Sequence, residues 1–271
     1  IHCYTIANKL HVNIKKSCYI EFLKNKPNTE MEDLLIEHRM CINGIPLLKV
    51  QETKFLGVTL DQNLNFNSHR EKLVKKLAAS AGILCRIKDS IPAGLHKDIY
   101  HTLFESHLAY GISVWGGTSN NKLDPLFKSQ KKCIRILFGD KEAYLDKYKT
   151  CARIRPYGEQ KLGPQFFKKE HTKPLFNKHS IMTVHNLYFY HCSIDTFQTL
   201  KFRTPISLFS LFDFSNRTGK ETLAITPQPS DGFVYRASTM WNFVRQQLSV
   251  NEFTATHSSF KSSIKRLILN T

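Results

Sequence analysis

Acidic residues are scarce in this 271-residue chain. Lys and Arg number 39 against 22 Asp and Glu, a formal charge of +17. A folded chain with so little negative charge is expected to meet a polyanion, because neutralising phosphates releases their counterions. Apolar runs are short, none approaching the ~18 residues of a membrane-crossing helix. The opening "IHCYTIANKL" lacks the charged start and apolar middle of a signal peptide, so a soluble intracellular protein is expected. The first residues, from Ile1, read as the inside of an element, as in a piece of something longer. Paired cysteines are missing too. Cys3, Cys18, Cys41, Cys85, Cys133, Cys151 and Cys192 are odd in number and never spaced C-x-x-C, which argues against a disulfide framework or a zinc ribbon. His185, His191 and Cys192 in "VHNLYFYHC" come nearest to a metal cluster, without a second paired set. Internal repeats and low-complexity tracts are absent.

What is present is enough apolar residue, 41%, to bury a real core. Ile1 to Phe22 reads as a helix end and then a strand pair: Leu10, Val12 and Ile14 alternate, Lys15-Lys16-Ser17 interrupts, and Cys18, Ile20 and Phe22 resume. Leu23 to Met40 is polar and reads as a surface excursion. In "CINGIPLLKV", Asn43-Gly44 between apolar residues is the strongest short hairpin signal. "TKFLGVTL" reads as the next strand, with Gly57 mid-run marking either a bulge or a close backbone approach.

From Ser68 the period becomes helical, with Leu73, Leu77, Ala81 and Leu84 on one stripe and Arg70, Lys72, Lys75 and Lys76 mainly between them. Ser68 and Glu71 have capping-box spacing, and Pro92 stops the helix. Leu95, Ile99, Leu103 and Tyr110 define a second helix ending near Gly111. A third, from about Leu123, sets Leu126, Gln130, Ile134 and Leu137 on one stripe and Lys128, Lys131, Lys132 and Arg135 on or beside the other face, ending at Gly139. Three such helices in series suggest a small bundle. Beyond Asp140 lie Pro-broken basic segments, an aromatic helix candidate from Ile181 to Phe197, and two short amphipathic helices in "ASTMWNFVRQQL" and "SSFKSSIKRLIL". Trp115 and Trp241 sit among apolar neighbours and read as core rather than as base-stacking platforms.

In order along the chain, "ANKLHVNIKKS", "TKFLGVTLDQNLNFNSHREKLVKKL", "LFESHLAYGISVWGG", "LDPLFKSQKKCIRILFG", "STMWNFVRQQL" and "SSFKSSIKRLIL" resemble the carboxy-terminal half of a non-LTR (LINE-type) retrotransposon reverse transcriptase. The resemblance is strongest from Ala7 to Gly139 and loosest between Tyr144 and Thr222. It implies an α+β fold: a small antiparallel sheet ending the polymerase palm (1–66), a helical thumb bundle (67–140), and a mostly helical, irregular connecting region (141–271). Asn13, Lys16 and Ser17 match the family's N-x-x-K-[ST] motif, which implies a lysine near the incoming nucleotide's phosphates, as electrostatic contact or general acid. Phe55, Leu56 and Gly57 match the primer grip, which implies a backbone turn against the primer's growing end. The thumb resemblance implies that Arg70, Lys72, Lys75, Lys76, Lys128, Lys131, Lys132 and Arg135 hold duplex phosphates without reading sequence. For each lysine the ordinary alternative is a solvated surface side chain.

The family also implies a pair of aspartates holding two Mg²⁺ ions in the complete polymerase. No Asp-Asp pair occurs here, and Asp61, Asp89, Asp98, Asp124 and Asp140 sit where helix starts and turns use them as caps. This chain alone is therefore expected to bind no metal and to extend no primer. The partners implied are an RNA template, a DNA primer and the upstream fingers and palm of the same polyprotein, without a small-molecule cofactor or membrane. Residence in the nucleus, with a cytoplasmic ribonucleoprotein stage, is implied likewise. The alternatives are a non-catalytic basic nucleic-acid-binding protein derived from such an element, and a basic scaffold on anionic membrane, although the apolar stripes look needed for the core.

Overall fold

Short paired strands, three pairs before residue 62 and one pair at 214–223, and long helices over most of the rest make this an α+β chain, seen in a computed structural model that describes residues 2–22, 40–42, 44–139, 172–215, 222–224, 232–248 and 255–270. It divides into two units, Ile1–Lys72 and Leu73–Thr271.

In the first unit, helix α1 (His2–Ala7) is followed by Lys9, whose φ of 53° turns the chain out of the helical direction. The alternation from Leu10 to Ile14 does not become a strand. A strand needs a ladder partner, and Ile14–Lys16 closes into a tight 3₁₀ turn instead. The only strand in this stretch is β1 (Cys18–Tyr19), which pairs in parallel with β4 (Leu48–Lys49), about 30 residues later, extended by the Val50 N–H to the Tyr19 carbonyl (2.9 Å). Between them, β2 (Cys41–Ile42) and β3 (Ile45–Pro46) form the expected antiparallel hairpin, with Gly44 at φ 75°.

"TKFLGVTL" is not one strand but a hairpin. Strands β5 (Glu52–Phe55) and β6 (Val58–Asp61) pair antiparallel, with Phe55 opposite Val58. The two-residue loop has Leu56 at φ 44° and Gly57 at φ 85°, the pair of positive angles a type I′ turn requires. Gly57 is therefore a turn residue, neither a bulge nor a mid-strand glycine. After β6, the Asp61 carboxylate accepts the backbone N–H groups of Asn63, Asn65 and Phe66 (3.1, 3.0 and 2.6 Å) and folds the loop into helix α2 (Asn67–Ile87). Ser68 lies inside the first turn, so the capping box does not form. Its hydroxyl bonds Glu52 instead, and with Lys72 it holds that carboxyl below its ordinary range.

In the second unit α2 buries Leu73, Leu77, Ala81 and Leu84, the stripe read from the sequence. Helix α3 (96–109) contains one π turn, His101–Glu105, and buries Tyr100, Phe104 and Leu108. Gly111, at φ 62°, opens the short α4 (Ile112–Trp115), and α5 (Asn120–Phe138) ends at Gly139. Then come α6 (Lys173–Lys178), α7 (Val184–Phe202), α8 (Ile206–Phe209), the pair β7 (Phe214–Ser215) and β8 (Thr222–Leu223), α9 (Phe233–Leu248) and α10 (His257–Asn270).

Helix α7 is the centre of this unit. It packs against the end of α3, α4 and α5, and also against α9 and α10. It is therefore buried around its circumference, at Val184, Leu187, Cys192, Ile194, Phe197 and Leu200 but also at Ser193, Thr196 and Thr199. The threonine hydroxyls are satisfied inside the helix, Thr196 on the Cys192 carbonyl (2.8 Å) and Thr199 on that of Asp195 (2.9 Å). Phe197 stacks on Phe260 at 4.2 Å, with Trp241 beside both. Helices expected in a separate carboxy-terminal region thus share one core with those expected as a thumb.

Fully buried Gln130 locks α5 to the start of α7. Its Nε2 donates to the Tyr100 hydroxyl (2.8 Å) and the Met182 carbonyl (2.9 Å), and its Oε1 accepts the Val184 N–H (2.9 Å). That N–H is one of the donors a helix amino terminus leaves without an intrahelical partner.

Candidate nucleic-acid interface

The spacing of "NIKKS" has a local structural meaning. Asn13 caps the 3₁₀ turn, its Oδ1 accepting the Lys16 N–H (3.3 Å), and the Ser17 hydroxyl returns to the Asn13 carbonyl (2.9 Å). The asparagine and serine shape the turn, and the turn presents Lys15 and Lys16 to solvent. Elsewhere in the same unit the β5–β6 hairpin exposes Phe55, Gly57 and Leu56, the last 75% exposed. Beneath the tip Val58 and Thr59 are buried, and the Thr59 N–H donates to His69 Nδ1 (3.3 Å), tying the hairpin to the first turn of α2. Burial, and then the neighbouring Arg70 and Lys72 charges, push the His69 pKa down, which keeps this nitrogen an acceptor.

The eight basic residues do not behave alike. Arg70 is 5% exposed, and its Nη2 donates to the Asn65 carbonyl (2.9 Å) and to Asn67 Oδ1, so it holds the loop before α2. An arginine spent this way is not open to a phosphate. Lys72 is exposed but paired with Glu52 at 2.9 Å. Lys75 and Lys76 are exposed on α2. On α5, Lys128 lies 3.9 Å from Asp124, Lys131 is 4.4 Å from the centre of the Phe127 ring, Lys132 is exposed and Arg135 is half-buried. Lys128, Lys131, Lys132 and Arg135 share a helix face by spacing, opposite the buried Leu126, Cys133 and Ile134. A further basic set on α10, Lys261, Lys265 and Arg266, is exposed. The spacing of "SSFKSSIKRLIL" held that signal, since Phe260, Ile264 and Ile268 are its buried stripe.

Trp115 and Trp241 are both core, the Trp115 indole donating to the Tyr110 carbonyl (2.8 Å). Gly116 and Gly117 after Trp115 leave room for neighbours: a Cβ on Gly117 would collide with the Arg236 guanidinium, and one on Gly116 would meet Tyr188 at 2.8 Å. Arg236 Nε in turn donates to the Tyr188 hydroxyl (3.0 Å). His185 stands edge-on to Phe127 (5.5 Å), His191 edge-on to Tyr190 (5.4 Å), and burial pushes the Cys192 thiol up to about 11. Among the described residues no three His, Cys, Asp or Glu side chains gather where they could hold a metal ion. Asp140 lies outside the described residues.

The surface chemistry is therefore a self-capped lysine turn and an apolar hairpin tip in the first unit, with lysine rows on α2 and α5. Compared with known proteins, the chain is 26% identical over 103 residues to the RNA-directed DNA polymerase from mobile element jockey of Drosophila melanogaster. The match covers 37% of this chain, which spans 11% of the length of that relative. No protein-family model matches the chain. No solved structure matches it.

Proposed function

We propose that this chain is a segment of an RNA-directed DNA polymerase of the non-LTR retrotransposon kind, and that it holds an RNA template and DNA primer by their phosphates. The observation that carries this reading is the 103-residue likeness to the jockey polymerase. The +17 charge supports it. In this reading the type I′ tip at Leu56-Gly57 lies against the primer end. A tight turn with an exposed apolar flank offers backbone and ring surface to a sugar, and no bulky Cβ intervenes at Gly57. Lys16 faces the nucleotide phosphates. Lys75, Lys76, Lys131 and Lys132 neutralise duplex phosphates, contacts that fix register and carry no sequence information. Upstream fingers and palm of the same polyprotein complete the enzyme, which acts in the nucleus after a cytoplasmic ribonucleoprotein stage. Two Mg²⁺ ions need clustered carboxylates, and in this reading the upstream palm of the complete polymerase supplies them.

The test is binding of an RNA–DNA duplex as a function of salt. If about five phosphates are neutralised, log affinity falls with log salt at a slope of about −4 to −5. Replacing Lys75, Lys76, Lys131 and Lys132 together by Ala flattens that slope while the helical circular dichroism stays unchanged. A flat salt dependence of the unmodified chain, or a slope indifferent to the four substitutions, overturns the reading.

A further inference from the structure

We infer that residues 201–214, at the end of α7 and over α8, form a second nucleic-acid contact, a platform on which unpaired bases stack. The inference rests on the proposed function only in taking nucleic acid as the ligand. The segment is unusual in what it leaves outside. Phe202 is 57% exposed and Ile206 76%, and Leu211 and Phe214 are exposed too, while Phe212 is buried as an anchor. Scattered single apolar residues are ordinary on a surface, but this many in one stretch of 14 residues single the segment out as a candidate binding surface.

Cations are interleaved with these rings. The C-cap of α7, Arg203, takes φ 53° and turns the chain, which sets its guanidinium 5.7 Å from the centre of the Phe209 ring. Phe209 and Phe214 lie 6.5 Å apart, tilted by 52°. Lys201 Nζ is 5.9 Å from the Phe202 ring and is held by a hydrogen bond to the Ala255 carbonyl. Asp213 is the single acidic residue of the segment. Cations beside aromatic rings, of which Phe202 and Phe214 are exposed and Phe209 half-buried, complement a single strand, whose phosphates meet the cations and whose bases meet the exposed rings. A duplex hides its base faces, so the surface selects unpaired nucleic acid. An uncharged apolar partner makes no use of these cations; an anionic membrane would use both, so binding to phosphatidylserine vesicles that is lost in the Phe202→Ala, Phe214→Ala double variant while RNA oligomer binding is kept would make the patch a membrane contact and overturn the inference.

The test compares an unstructured uridine RNA oligomer with an RNA–DNA duplex by fluorescence anisotropy. Phe202→Ala with Phe214→Ala should weaken oligomer binding by about tenfold to a hundredfold and change duplex binding by less than about twofold. Phe214→Trp should retain oligomer binding and show quenched tryptophan emission at saturation, because Trp115 and Trp241 are buried and cannot stack on a base. Equal loss on both ligands, no loss on the oligomer, or an unquenched Trp at Phe214 overturns the inference. So does a chain that sediments as a dimer and becomes monomeric in the double variant, which makes the patch a self-association surface. Oligomer binding without duplex binding refutes the proposed function and leaves this inference standing. Binding of neither refutes both.

Discussion

Gln130 offers the sharpest test of the helical unit, because one side chain closes three buried hydrogen bonds that link α5 to α3 and to the start of α7. Gln130→Met keeps nearly the same volume, so the cavity contribution is small. What is lost is polar: the Val184 N–H at the start of α7 and the Met182 carbonyl lose their partner inside the protein. Each buried orphan costs about 1–3 kcal/mol, so the two together centre on about 4 kcal/mol. For a unit of this size that lowers Tm by roughly 8–16 °C. Tyr100→Phe removes only the third bond and leaves Gln130 its two backbone partners, so it should cost about 1 kcal/mol. Since Gln130→Met already breaks the Tyr100 contact, the double variant should be less destabilised than the sum by about the same amount. The assay is urea unfolding followed by far-ultraviolet circular dichroism. If Gln130→Met unfolds within about 1 kcal/mol of the unmodified chain, the interlock contributes nothing and the reasoning fails.

Acid should weaken the first unit, because the lowered pKa of His69 means the unfolded chain takes up its proton before the native one. Its stability contribution is complete above the ordinary value of 6.5 and is lost as pH falls through the lower native value. His69→Asn, which keeps an acceptor for the Thr59 N–H, should reduce the Tm loss between about pH 7.5 and about pH 5, and an equal loss in both proteins refutes it. Gly57→Ala should cost about 1–2 kcal/mol, since φ 85° is strained for any residue with a Cβ, and a neutral result in thermal unfolding would contradict the type I′ turn. In a complete polymerase carrying this segment, Lys16→Ala should slow single-turnover incorporation by about tenfold to a thousandfold with primer–template affinity unchanged. Lys15→Ala should be silent there, and silence of both variants would return Lys16 to an ordinary solvated lysine.

By itself the sequence determined what depends on neighbours a few residues away. The stripe Leu73, Leu77, Ala81 and Leu84, the stop before Pro92, the end of α5 at Gly139 and the hairpin of β2 and β3 with Gly44 in its turn all follow from local period and turn chemistry. The candidate residues were legible as types, an excess of lysine on helical faces, but not as exposures. Only the tertiary structure decided that Arg70 is buried against a loop while Lys75 and Lys76 stay outside, because burial depends on which distant chain passes over a side chain. It decided that β1 pairs in parallel with β4, about 30 residues on, whereas Leu10 to Ile14, which also alternates, forms no strand among the described residues. Alternation states which side of a strand is apolar and says nothing of a ladder partner. Helix α7 is the strongest case: its aromatic and hydroxyl-rich sequence shows no polar face because helices pack on every side of it, and a helix without a solvent side carries no periodic signal.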